Sequence, residues 1–293
     1  MNYTLLIAAL VPAIVLCIYL FYKDRVEKEP LGLLAKLLIF GVISCFPAML
    51  GETFIQGLLN GIFSNALYLN EAGDVVMSWT NYHLYQFLIA FIGVALIEEG
   101  CKWIFLVLGT KKNKNFDHLF DGVIYATFVS LGFAAFENIQ YVFNGGISVA
   151  ISRAIFSIPG HMFFGVMMGY YYSFWHLTDK AAAIESRLYK EGQIPFIKNP
   201  FDSTEQKILS IVIPTLFHGF YDFCLFVSSP FTTVLFYIFV IFMYIYCFGK
   251  IKMMSQKDGA SKDYAMVALV KKYPILLAKK ESESDNTTGT PTN

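Results

Sequence analysis

Apolar positions run along this chain in stretches longer than the helices of a water-soluble core require. A helix crosses the hydrocarbon layer with about 20 predominantly apolar residues. Windows of that length pick out seven segments, 3–22, 33–58, 84–108, 120–143, 154–175, 208–227 and 231–248. The last two are separated only by Ser228-Ser229-Pro230, a turn suited to a helical hairpin. The predicted fold is therefore all-α, a polytopic membrane bundle of about seven helices over 1–249. A polar cytoplasmic tail over 250–293 is expected to be disordered, with 264–277 reading either as a short surface helix or as part of an inert tail. The first segment has no positive stretch before it and is followed by Lys23 and Arg25, so it reads as an anchor rather than a cleaved leader.

Composition supports this reading. Of 293 residues, 56% are hydrophobic, 17% aromatic and 15% charged, against about 25% charged in an average soluble domain. Lys+Arg and Asp+Glu are both 22, so there is no basic excess of the kind that binds nucleic acid by counterion release. The cations are unevenly distributed. All but Lys102 and Arg153 fall in 23–36, 109–119, 176–207 and 249–293, which are alternate connections and ends. Lys and Arg accumulate on the cytoplasmic side. The expected topology is a multi-pass cell-membrane protein with its N-terminus outside and its C-terminus cytoplasmic. The five Cys residues are scattered without a CxxC pair and read as small buried hydrophobes.

The candidate chemistry lies in ionisable residues within the apolar segments, where burial is costly and usually marks function. The third segment carries Glu98-Glu99-Gly-Cys-Lys102, with Lys102 at i+4 and i+3 from the two acids. The fourth carries Glu137-Asn138, preceded by Gly132, Ala134 and Ala135, which allow close helix approach. The fifth carries Pro159-Gly-His161, with Gly165 and Gly169 following on the same face. The sixth carries His218-x-x-x-Asp222, one helical turn apart. At about 1.5 Å per residue, these groups converge in the centre to outer half of one bundle. A carboxylate can serve as general base, and two imidazoles with a carboxylate can hold Zn2+. The parts suit activation of water for hydrolysis of a membrane-embedded substrate. HExxH, GxSG and GxGD are all absent, which excludes three other plans of intramembrane protease.

Glu98-Glu99-x-x-Lys102, Asp121-Gly122…Gly132-Phe133-Ala134…Glu137-Asn138, Arg153…His161 and His218-x-x-x-Asp222, with the charged Asp24–Pro30 loop, resemble the PrsW family of membrane proteases over roughly residues 20–230. That family is more distantly similar to the type II CAAX-processing and bacteriocin-processing membrane proteases. The resemblance implies a bacterial cell-membrane protease that cuts a membrane-anchored anti-sigma factor and so begins stress signalling. Two mechanisms stay open. In one, His161, His218 and Asp222 (or Glu137) hold a divalent metal such as Zn2+, and Glu98 or Glu99 is the base. In the other, no metal is bound, Glu98 or Glu99 with His161 activates water, and His218 with its neighbour stabilises the oxyanion. Lys102, Asn138 and Asp222 are expected to support the catalytic set Glu98, Glu99, Glu137, His161 and His218. A proton- or metal-coupled transporter and an inactive helix-binding scaffold are the competing classes. The bilayer and a membrane-anchored protein substrate are the expected partners, with no nucleic acid.

Overall fold

The computed structural model describes residues 2–72, 74–258 and 263–276. Its elements follow the hydropathy pattern. Helices α1 (Tyr3–Lys23) and α2 (Leu31–Phe63) are followed by a small antiparallel hairpin of β1 (Leu67–Leu69) and β2 (Val75–Met77), in which Tyr68 faces Val76. Helix α3 (Trp79–Leu88) runs through a π-helical segment, Ile89–Ala95, into α4 (Leu96–Thr110). Then come α5 (Leu119–Ile155), α6 (Ser157–Lys190), α7 (Thr204–Val227), α8 (Pro230–Lys257) and α9 (Tyr264–Lys272). Apart from that hairpin, the described residues form a helical membrane bundle. Among the described residues five segments are long and apolar enough to cross a membrane: Tyr3–Lys23, Leu31–Ala66, Leu119–Lys190, Thr204–Val227 and Pro230–Lys257. The two predicted spans at 120–143 and 154–175 lie together in the third of these, and the predicted span at 84–108 is divided among α3, the π segment and α4. The hairpin was not foreseen. It is two three-residue strands, too short for a period-2 pattern to stand out.

Helices α5 and α6 form the centre. Their most apolar window is 83% buried, against 17% for α1 and 28% for α8, so the peripheral helices present apolar side chains outward. Ile7, Val11, Ile14 and Ile18 of α1 are all exposed, an arrangement that only a lipid solvent tolerates over such an area. Small residues set the close crossings, as the glycine spacing predicts. A Cβ on Gly169 would overlap the Gly122 carbonyl across the α5–α6 crossing, and a Cβ on Gly132 would overlap the Leu38 carbonyl across α2–α5.

The α5 segment is a helix doubled back on itself. Gly146 has φ 75 and ψ −162, a region open essentially to glycine alone. Fifteen residues of straight helix would separate Asn138 from Arg153 by about 22 Å. Instead their side chains are hydrogen-bonded at 2.8 Å. The reversal therefore returns 147–155 alongside the end of the first half and delivers the chain into α6.

At the other end of the bundle the 24–30 loop is pinned locally. Asp24 Oδ2 accepts the Glu29 backbone N–H at 3.0 Å, and Lys28 donates to the carbonyl oxygens of Phe21 and of Asp24. Helix α8 runs past residue 250, so the predicted domain boundary falls inside it. The predicted surface helix is α9, whose Ala265 and Leu269 pack with Ala181 and Leu188 of α6. Tyr273 donates to Glu185 at 2.6 Å and Lys272 pairs with the same carboxylate at 2.5 Å. The remainder of the predicted tail, from 277 onward, lies outside the described residues.

Two predictions follow from these features. Gly146→Val is expected to destabilise the protein by about 1–3 kcal/mol, the usual cost of a strained backbone region, read as a lowered thermal midpoint in detergent. Burial also pushes the Glu29 carboxyl up to about 7, the Tyr125 hydroxyl opposing and the Asp24, Asp117 and Asp121 carboxylates adjusting the balance. A carboxyl raised above its unfolded value contributes stability that is fully present below about pH 4.3 and lost as pH rises through 7. Proteolytic nicking of 24–30 should accordingly increase between pH 5 and pH 8, and a flat profile would contradict this.

Candidate active site

The site is assembled from four helices around one ammonium group. The π segment ends at Ala95, and Glu98 and Glu99 occupy the first turn of α4. Such π-helical irregularities are frequent at functional sites, and here the wider turn leads directly into the acidic pair. Lys102 and Glu99 are wholly buried and Glu98 nearly so. Lys102 Nζ donates to Glu98 Oε2 at 2.9 Å and to Glu99 Oε1 at 2.8 Å, and lies 3.1 Å from His161 Nδ1. An ammonium has three N–H donors and no acceptor, so all three are committed. The Phe133 ring lies 4.1 Å from the same nitrogen.

This fixes the tautomer of His161. Nδ1 must accept from Lys102, so the proton sits on Nε2, which donates to Glu137 Oε2 at 2.9 Å. Arg153, returned by the Gly146 reversal, donates to the same Glu137 oxygen at 2.8 Å. Its Nε donates to Asn138 Oδ1 at 2.8 Å, and Asn138 Nδ2 donates to the Ala9 carbonyl of α1 at 2.7 Å. On α7, His218 Nδ1 lies 2.9 Å from Glu99 Oε1, and its Nε2 lies 3.3 Å from Asp222 Oδ2. Both nitrogens face carboxylates, so a doubly protonated ring satisfies both. Phe164 stacks on the imidazole at 4.5 Å. Gly219 lets α7 seat against Phe91 of the π segment, which brings His218 beside Glu99.

A cavity of about 510 Å³ opens on this network, lined by Glu98, Glu137, His161, His218 and Asp222 together with Glu52. Tyr141, Tyr221, Phe236 and Tyr237 supply aromatic walls. A smaller cavity of about 210 Å³ shares Glu52, Glu98, Glu137 and Tyr141 and extends to Met49 and Gln140 between α2 and α5. Glu98, His161 and His218 each offer a ligand atom within 4.8 Å of the others.

The eight residues singled out from the sequence are thus brought into one continuous network, though they do not occupy equal places in it. Glu98, Glu137, His161, His218 and Asp222 line the larger cavity, whereas Glu99 and Lys102 lie beneath it and Asn138 ties Arg153 to α1. Asp222 stands against His218, and the tightest donor group includes Glu98 in its place. Glu52 of α2 was missed. It is a carboxylate inside a predicted span, and the cost of burying charge that singled out Glu98 applies equally to it.

Helices exposing apolar surface around a buried, water-accessible carboxylate–imidazole centre define a membrane-embedded hydrolase. The chain belongs to the PrsW family of intramembrane metalloproteases, peptide-bond hydrolases whose family model matches residues 29–248. It is 32% identical over 232 residues to protease PrsW of Oceanobacillus iheyensis, covering 79% of this chain and 87% of that one. It is 29% identical over 250 residues to protease PrsW of Clostridioides difficile, covering 83% and 88%. The match to protease PrsW of Bacillus subtilis is 27% over 247 residues, 84% of this chain and 93% of that one. No solved structure matches the chain. The transporter and scaffold classes give way to the protease.

Removing one partner from a buried ion network leaves an uncompensated charge and costs about 3–5 kcal/mol. Lys102→Met is expected to lower thermal stability by that order, and adding Glu99→Gln should recover a large part of it. A Lys102→Met protein as stable as wild type would contradict the central role of this ammonium.

Proposed function

We propose that this protease cuts a membrane-anchored protein of the anti-sigma-factor kind, with Glu98 as the base that activates water. The single observation that carries this reading is the convergence of Glu98, His161 and His218 donor atoms within 4.8 Å at the larger cavity. Of the acidic pair, Glu98 lines that cavity, whereas Glu99 is sealed beneath it between Lys102 and His218.

Glu98 Oε2 is held by Lys102, which leaves Oε1 for a water molecule. As that water attacks the scissile carbonyl carbon, its proton passes to Glu98. Glu98 then delivers the proton to the amide nitrogen as the C–N bond breaks, yielding an acid and an amine. His161 is locked by Lys102 and Glu137 and is linked to the base through Lys102, which also holds Glu98. His218 is the oxyanion donor. Its 3.3 Å contact to Asp222 is the weaker of its two, and a substrate oxygen can replace it while Glu99 keeps the ring in place.

The donor chemistry also fits a divalent metal. Two imidazoles and a carboxylate from Glu98, His161 and His218 form a ligand set of the hydrolytic zinc kind, in which Glu98 would be a ligand rather than the free base. Each imidazole would first give up one present hydrogen-bond partner. When bound, such an ion supplies Lewis-acid polarisation and lowers the pKa of water. Asp222, expected as a ligand in the first of the two mechanisms, instead holds His218 Nε2 until substrate takes its place.

The cation distribution supports seven crossings with the N-terminus outside and the C-terminus cytoplasmic. In that topology the Gly146 reversal, Arg153 and the larger cavity lie toward the outer face.

The test is cleavage of a single-span, anti-sigma-factor-like substrate co-reconstituted in vesicles. Glu98→Gln is expected to lose about 10²–10⁴-fold in rate, and His161→Ala or His218→Ala to abolish detectable cleavage in a protein that still inserts and folds. Full activity of the His161→Ala, His218→Ala double variant would overturn the assignment. Loss of cleavage in chelator, restored by Zn2+, is expected if the metal is resident, and unaltered cleavage would exclude it from the reaction.

A further inference from the structure

A further cavity lies away from the protease site, on the lipid-facing side of the bundle. Helices α1 and α2 each pack along α5 but make little contact with each other. The gap between them is a groove of about 490 Å³. Ile18 and Tyr22 of α1 and Leu31, Ala35 and Leu38 of α2 form its walls, and Phe128 of α5 is its floor. Phe128 is 4% exposed, whereas Tyr22 and Leu31 are 71% and 69% exposed, so the groove is closed behind and open to the bilayer. From Leu31 to Leu38 it follows α2 for about 10 Å. No charged side chain lines it, and water finds few polar partners there, so hydrocarbon is the fitting occupant.

The mouth of the groove is cationic where a headgroup would stand. Both helices are long and apolar enough to span the membrane, and they meet at the 24–30 loop, so that loop marks a bilayer boundary. Lys28 Nζ lies 4.4 Å from the Phe21 ring centroid and 5.7 Å from that of Tyr22, and both rings line the groove. Two of its three N–H groups go to the Phe21 and Asp24 carbonyls, which fixes the ammonium at the mouth and leaves one donor over. Arg25, exposed in the same loop, has no hydrogen bond or ion pair with any described residue. The acids of the loop are placed elsewhere. Glu27 stands within 4.8 Å of ligand atoms of Asp117 and His118, and Asp24 and Glu29 are buried.

We propose that this groove holds an acyl chain of one anionic phospholipid, whose phosphate is bound by Lys28 with the Arg25 charge beside it. Cations between membrane helices at the bilayer surface recognise anionic headgroups. The apolar walls take the chain whatever its headgroup, so the lysine supplies the selectivity. The lipid fills the space between two helices that do not pack on one another and holds both against α5. Its role is structural and separate from peptide hydrolysis.

The test uses the full-length protein in detergent, delipidated and then given phosphatidylglycerol or phosphatidylcholine of the same chain length. Native mass spectrometry reads the lipid retained per chain. Wild type should retain one phosphatidylglycerol at least tenfold more tightly than phosphatidylcholine. Ala35→Trp, which fills the groove from an exposed position, should lose that lipid. Lys28→Gln should hold the two lipids equally. Lys28 also closes the end of α1, so Lys28→Arg, which keeps the charge, should restore the preference, and an unchanged circular-dichroism spectrum verifies the fold of each variant. Equal retention of the two lipids by wild type, or a preference that survives in Ala35→Trp or in Lys28→Gln, would overturn the proposal. So would a dimer that Ala35→Trp dissociates, because the groove would then hold a second copy of the chain.

Discussion

The Lys102 ammonium is the constraint on which the rest of the site depends. Two adjacent carboxylates cannot be held in a low-dielectric interior without a partner. Here a single wholly buried nitrogen compensates both and spends its third N–H on His161. That commitment sets the His161 tautomer, which in turn directs a proton to Glu137 and draws in Arg153. On the other side Glu99 extends the same network to His218 and Asp222. Four helices are thereby registered against one another by charge, in a bilayer where the hydrophobic effect gives helices little reason to prefer one register over another.

Two backbone irregularities make the network reachable. The π segment ahead of α4 and the left-handed Gly146 within α5 each break the regular helix close to the acids they serve. Without the reversal, the only cation of the 144–153 connection would lie far from Glu137. With it, Arg153 meets Glu137 and Asn138 at hydrogen-bond distance, and Asn138 fastens this corner to α1.

Much of this was legible in the sequence because lipid makes the pattern severe. Long apolar runs have one inexpensive conformation there, and every buried charge needs a reason. The helices, the close glycine crossings and the set from Glu98 to Asp222 all followed from those two rules. The π segment was not legible, since Ile89–Ala95 is apolar throughout and hydropathy does not distinguish π from α. The Gly146 reversal was hidden in the same way, as glycine is also common in straight membrane helices. The extension of α6 to Lys190 and the docking of α9 on it depend on water-facing amphipathicity, a weaker signal than the apolar runs that set the spans. Glu52 was legible by the rule that found Glu98, although no second acid and no histidine accompanies it in α2 to mark a motif.

The side cavity between α2 and α5 has a consequence for how such an enzyme is supplied. Hydrolysis consumes one water molecule per bond cut, and a polypeptide seated in the larger cavity displaces the solvent that filled it. The smaller cavity shares Glu98, the proposed base, with the larger, along with Glu52, Glu137 and Tyr141, and is bordered elsewhere by Gln140, Met49 and Thr53. On the proposed reading, water held in the smaller cavity would reach the base without crossing the space that a polypeptide fills. An enzyme built this way can keep its reaction wet while its substrate keeps the main entrance closed.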